Sequence, residues 1–250
     1  MRRDELLDAL ISEIRIRKAE GITQLAGIDG VDPSGKTILA DALADRGRRA
    51  GLRILRASID GFHNPREVRY RRGPDSPEGY YRDSFDYAAL RSALLDPLKA
   101  GGAGSVATRA YDFRAESPVA VDPVDFCGDT ILVFEGVFLR CAELAAYWDY
   151  LVYVHAGFET TLRRAAARDA ALFGSPGGAE ARYRTRYIPG QRIYIRERSP
   201  ITAAHAVVVN DDPEDPILVR DERTRGRLED EASGIMALPR SDGGTDVIEG

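Results

Sequence analysis

Eight residues near the start of the chain, GVDPSGKT from Gly30 to Thr37, satisfy the spacing G-x-x-x-x-G-K-[ST] at every fixed position. Such a loop works only between a strand and a helix. Its glycines let the backbone wrap an anion with the N–H groups pointing inward, and the helix that follows adds the positive end of its dipole. The flanks fit: LAGI supplies a strand, and TILADALA sets Ile38, Leu39, Ala42 and Leu43 on one helical face. A strand–loop–helix opening commits the chain to an α/β fold. The residue types assign Gly30, Asp32, Pro33, Ser34, Gly35, Lys36 and Thr37 to phosphate binding, with Lys36 reaching the β and γ phosphates and the Thr37 hydroxyl ligating Mg²⁺. Pro33 fixes one φ angle and removes one donor. The plain alternative is a glycine-rich turn.

The rest of the chain agrees with that commitment. Short apolar runs, TQLAGI, RILRAS, TILVF, YLVYVHA and AHAVVV, alternate with helix-length segments, which predicts βα units and a parallel sheet of about five strands flanked by helices. Before the loop, Leu6, Leu7, Leu10, Ile11 and Ile14 recur at spacings of three and four, predicting an amphipathic helix within residues 1–20. Residues 21–220 read as one domain, and the polar, glycine-rich residues 221–250 as a largely disordered tail.

Composition narrows the partners. The net charge of −5 argues against nucleic acid as a bulk electrostatic partner. The longest apolar run falls far short of the roughly 20 residues a membrane span needs. Arg2 and Arg3 are followed at once by Asp4 and Glu5 with no apolar stretch behind them, so a cytoplasmic location is the default expectation. Cys127 and Cys141 have no partner at metal-ligand spacing and read as reduced thiols. A homo-oligomer is left open.

A phosphate loop does not name a reaction. The N-K-x-D motif of GTPases and the L-S-G-G-Q signature of transporter ATPases are both absent, which leaves the small-molecule kinases. In order along residues 24–212, the segments GVDPSGKT, SIDGFH, YDFR, ILVFEGVFL, TLRRAAARD and RYIPGQRIY resemble the uridine kinase, phosphoribulokinase and pantothenate kinase group of P-loop kinases. That resemblance implies ATP as phosphoryl donor, Mg²⁺ as cofactor, and a small helical lid over about residues 158–192. It places Asp60 where the family's carboxylate acts on the acceptor hydroxyl beside the metal. Glu135 falls at the second acidic position, with Thr37, Asp60 and Glu135 as the metal set. Arg164 and Arg168, one helical turn apart, are expected to face the transferred phosphoryl group together, and Asp212 lies where the adenine loop falls.

On the acceptor side, the resemblance points to His63, Tyr80, Asp83, Tyr111 and Arg114 besides Asp60. Tyr111 keeps an aromatic position that contacts the nucleoside in uridine kinases. Tyr80, however, stands where those enzymes carry a ribose-binding Asp, Glu116 near their base-reading His, and Thr161 at a lid arginine. DGFHNP and YRDSFD resemble pantothenate kinases at least as well. The expected function is therefore transfer of the ATP γ-phosphoryl group to a primary hydroxyl of a small molecule, a nucleoside first, with pantothenate or another small alcohol as the alternative. From another class, a non-catalytic nucleotide-binding regulatory protein is the competing expectation.

Overall fold

The computed structural model describes residues 1–17 and 21–234. Among the described residues ten strands are formed: β1 (Gln24–Gly30), β2 (Arg53–Ser58), β3 (Gly104–Val106), β4 (Tyr111–Asp112), β5 (Ser117–Pro118), β6 (Val124–Phe126), β7 (Thr130–Glu135), β8 (Tyr150–His155), β9 (Ala206–Val209) and β10 (Ile217–Val219). Six of them make the central sheet in the order β10-β9-β8-β1-β7-β2. The five expected strands are all present and mutually parallel where they pair. The sixth, β10, adds antiparallel to β9. Three residues behind a proline carry too little periodicity to announce it, so the sheet holds the expected parallel strands and one antiparallel edge strand more.

Every residue of β1, β7 and β8 is buried, as expected for parallel strands covered on both faces. One core lies between the sheet and two helices, Arg3–Arg17 and Lys36–Arg49. There Leu6, Leu7, Leu10, Ile11 and Ile14 meet Leu39, Leu43, Ile28 and Val152. Each buried aliphatic side chain contributes roughly 1.5–3 kcal/mol, an upper figure for an extended unfolded chain. Ile38 departs from the expected face: it is 62% exposed, while Ala40 is buried instead. The second core, on the opposite face, contains Leu132, Phe134, Leu151, Tyr153 and Phe138.

The lid region begins with helix Phe158–Arg168, breaks at residues 169–175, and resumes as one continuous helical run through Pro176–Arg182, a wider turn Tyr183–Tyr187, and Ile188–Arg198. The second half does not stop near residue 192: Tyr194 and Ile195 enter the core. Beyond it, the expectation of a disordered tail from residue 221 is corrected in its first part. Residues Glu222–Ser233 form a helix capped by Asp221, whose carboxylate accepts from Thr224 N. Leu228 and Ala232 are buried, and the Glu229 carboxylate accepts the backbone N–H groups of Ile201 and Thr202. The remainder, residues 235–250, lies outside the described residues, as do residues 18–20. No described helix is long and apolar enough to cross a membrane.

Candidate active site

The central strand β1 delivers the phosphate loop to the C-terminal edge of the sheet. Gly30 leaves β1 at φ 152°, and a Cβ there would fall 2.3 Å from the Val154 carbonyl oxygen, so no other residue fits. Gly35 adopts φ 99° and opens helix Lys36–Arg49 without a side-chain cap, which leaves the first N–H groups of the helix available to an anion. The buried hydroxyl of Ser34 has no hydrogen-bond partner, a polar atom held inside the loop for something the chain does not supply.

Lys36 is buried and donates to the Val31 carbonyl at 2.9 Å and to Asp32 Oδ1 at 2.7 Å. Burial would push the Asp32 carboxyl up, but the Lys36 ammonium outweighs it and holds Asp32 below the ordinary carboxylate range. The other oxygen of Asp32 accepts from the Tyr80 hydroxyl at 3.0 Å. Under the loop, Asp29 accepts from Gly30 N at 2.8 Å and from the Tyr194 hydroxyl, and its complete burial raises its pKa to about 6.

Asp60 sits on a short turn, Ile59–Phe62, at the end of β2, where the Ser58 hydroxyl accepts from Asp60 N. Its pKa is raised to about 7, first by the protein mass around it and then by the like charges of Glu135 and Asp32. The side chain still reaches cavity solvent, which tempers the burial contribution. Carboxylate crowding sustains the upward direction. Glu135, at the end of β7, is buried and pairs with Arg56 at 3.3 Å.

Two cavities meet at the loop. The larger, about 1560 Å³, is lined by Lys36, Thr37, Asp60, Glu135 and Arg168 at its sheet end, and by His63, Tyr70, Phe113, Arg114 and Arg182 farther out. The smaller, about 460 Å³, is lined by Pro33, Gly35, Thr37, Ile38, Arg164, Asn210 and Pro213. This explains the exposed Ile38: it walls the smaller cavity. Thr37, Lys36, Asp32 and Arg168 line both.

The expected arginine pair separates. Arg164 donates to the carbonyls of Asn210 at 2.7 Å and Asp211 at 3.1 Å and lines only the smaller cavity. Its extended side chain finds backbone acceptors at the loop after β9, so joint action with Arg168 on one group is not seen. Arg168 reaches both cavities and is held by Asp169 at 2.8 Å and the Tyr183 hydroxyl at 3.0 Å. Asp212 is exposed, accepts from Glu214 N and lines neither cavity. Asn210 lines the smaller cavity instead, and its side chain donates to the Ser34 carbonyl at 2.7 Å. Asn210 directly follows β9, a position from which sequence could have nominated it.

On the acceptor side, His63 lies between Phe85 and Phe113, with ring centroids 4.7 and 4.5 Å away, and burial lowers its pKa to about 4. It is an aromatic wall that stays neutral. Tyr80 borders the cavity but commits its hydroxyl to Asp32. Asp83 is buried outside the cavity, bound by Arg71 and by Arg72 at 2.8 Å, because arginines of the preceding loop fold back onto it. Tyr111 is not a lining residue; its hydroxyl donates to Glu116, which is. Sequence reasoning missed Arg69, paired to Glu116. Arg186, in the second lid helix, is buried and donates to the carbonyls of Arg69, Gly73, Pro74 and Ser76.

Thr37, Asp60 and Glu135 share the larger cavity, and the mutual repulsion that raises Asp60 would be relieved by a cation among them. Among the described residues no group of three or more His, Cys, Asp or Glu could hold a metal ion alone. The donor set therefore suits a hard cation completed by phosphate oxygens and water, the habit of Mg²⁺.

No protein-family model matches the chain, and no curated protein matches it. Solved structures do. The chain is similar to a possible uridine kinase from Bacillus stearothermophilus, with 25% identity over 82% of this chain and 97% of that one and a TM-score of 0.62. It also shares the fold of a candidate fructose transport system kinase from Silicibacter sp. TM1040, at 21% identity over 77% and 95% of the two chains and a TM-score of 0.63.

Proposed function

We infer that this chain, which has the fold of the P-loop kinases and resembles the uridine kinase group, transfers the γ-phosphoryl group of ATP to a hydroxyl of a small molecule, with Mg²⁺ as cofactor. One observation carries the reading: Asp60 opens into the same cavity as Lys36 and Thr37 of the phosphate loop. A nucleotide-binding protein without chemistry has no use for a proton-accepting carboxylate at that place.

The roles follow from position. The loop N–H groups and Lys36 bind the β and γ phosphates, and Arg168 supplies positive charge where it spreads over the transferred group. Asp60 takes the proton of the attacking hydroxyl. Bound Mg²⁺ would supply electrostatic stabilisation of the phosphate oxygens, held through Thr37, Asp60 and Glu135. The smaller cavity, beside the loop and floored by Ile38 and Pro213, fits the nucleotide base. For the acceptor, a nucleoside retains the aromatic wall of His63 and Phe113, but Tyr80 and Asp83 are engaged elsewhere.

The test is ADP formation from Mg·ATP by the full chain with pooled nucleosides, hydroxy acids, sugars and phosphorylated alcohols. Acceptor-dependent ADP from one pool supports the reading, and none from any pool, with ATP still bound, supports a regulatory binder.

A further inference from the structure

The outer end of the larger cavity carries more positive charge than its own carboxylates balance. Arg66, Arg69 and Arg182 line it together with Tyr70. Their guanidinium carbons stand 5.1, 5.5 and 5.8 Å from the centroid of that one ring, and the buried Arg186 stands 4.7 Å from it. Two carboxylates answer them: Glu116 pairs with Arg69, and the exposed Asp75 with Arg182 at 2.6 Å. Arg66 meets Glu116 through its backbone N–H, and its guanidinium rests on the Tyr70 ring. The Nε atoms of Arg69 and Arg182 are buried without a hydrogen-bond partner. Arginine N–H groups withdrawn from water and left unpaired are costly, and like charges gathered around one ring favour an anion among them.

We propose that Arg66, Arg69 and Arg182 around Tyr70 form an anion site for a carboxylate or phosphate carried by the acceptor itself. This deepens the kinase reading and rests on it. The cavity is polarised: Asp60 and Glu135 gather at the phosphate-loop end, where the hydroxyl must react, and the arginines gather at the other. A molecule with a hydroxyl at one end and an anionic group at the other, a hydroxy acid or a phosphorylated alcohol, satisfies both ends. A neutral nucleoside leaves the Arg66 guanidinium without a counter-charge. Planar forked donors suit both candidate groups. Arg186 acts as the buttress: its four bonds to backbone carbonyls fix the segment that carries Arg69 and Tyr70.

The experiment is calorimetric titration of the full chain with inorganic phosphate, and separately with malonate, at low ionic strength after saturation with Mg²⁺ and the non-hydrolysable analogue AMP-PNP. The analogue fills the phosphate loop through its γ position, so added anion must bind elsewhere. One saturable site is expected, weakened roughly ten- to hundredfold in Arg66→Gln, an exposed change that leaves the melting temperature unaltered. Tighter binding of phosphate assigns a phosphorylated acceptor, and tighter binding of malonate a carboxylate. AMP-PNP bound without anion uptake, or uptake equal in wild type and Arg66→Gln, overturns the anion site alone. Failure of AMP-PNP to bind overturns the kinase reading and the anion site with it.

Discussion

Tyr80 donates its hydroxyl hydrogen to Asp32 Oδ2 at 3.0 Å, joining the acceptor wall to the phosphate loop. The same Asp32 holds Lys36 through its other oxygen at 2.7 Å. A residue expected to read the acceptor is thus a support for the residue that reads the donor.

Tyr80→Phe should therefore act on the loop. Loss of one hydrogen bond to a charged, half-buried carboxylate costs about 1–2 kcal/mol, measurable as a lower urea midpoint, and weakens ATP binding modestly. The acceptor KM should stay within about threefold. A tenfold rise in that KM with unchanged ATP affinity would return the Tyr80 hydroxyl to the acceptor.

Lys36→Ala removes the buried ammonium that serves both Asp32 and the phosphates. Mg·ATP affinity should fall at least roughly tenfold, as expected for a lost charge-assisted contact, in a chain that retains its circular dichroism spectrum. Titration with a fluorescent ATP analogue reads the change, and unaltered affinity would refute the cradle.

Two carboxylates make stability depend on pH. Asp29 and Asp60 have native pKa values of about 6 and 7, above the unfolded value of 3.8. Between about 4 and 7 the native state holds protons that the unfolded state has released, so their contribution falls as pH rises through that window and is flat above it. The fall is on the order of 2–3 kcal/mol for the buried Asp29. For Asp60, which reaches solvent, screening reduces it to about 1 kcal/mol. Asp60→Asn should consequently melt roughly 2–4 °C higher than wild type at pH 8 and little differently at pH 4, by calorimetry without nucleotide. Equal melting temperatures at pH 8 would remove the carboxylate crowding.

Arg186→Met keeps volume but strands four carbonyls of the 69–76 segment. A loss of about 2–3 kcal/mol in unfolding free energy is expected, with a raised acceptor KM. A change under about 0.5 kcal/mol would show that the segment holds itself.

What sequence alone revealed divides by the kind of physics involved. The strand-end positions of the phosphate loop, Asp60 and Glu135 were legible because strand ends and glycine conformations are local matters, set by a few neighbouring residues. The core strands were legible because parallel strands buried on both faces are continuous apolar runs. Arg164, Asp83 and Arg186 were not: an arginine or a carboxylate finds its partner through tertiary packing, and Arg186 meets carbonyls 110 or more residues away. Helix Glu222–Ser233 was missed because its burial rests on few apolar residues and on Glu229 capping a distant turn. Its sequence reads as polar until the partner is known.

The central claim, that Asp60 takes the acceptor proton beside a phosphate loop that binds ATP independently, meets its most direct test in one paired measurement. Turnover with the acceptor found in the pooled screen and Mg·ATP affinity are compared between wild type and Asp60→Asn. The account predicts a rate lower by roughly 10²–10⁴, the range of a lost general base, with ATP affinity preserved within about threefold. Turnover that survives within about tenfold of wild type would contradict it.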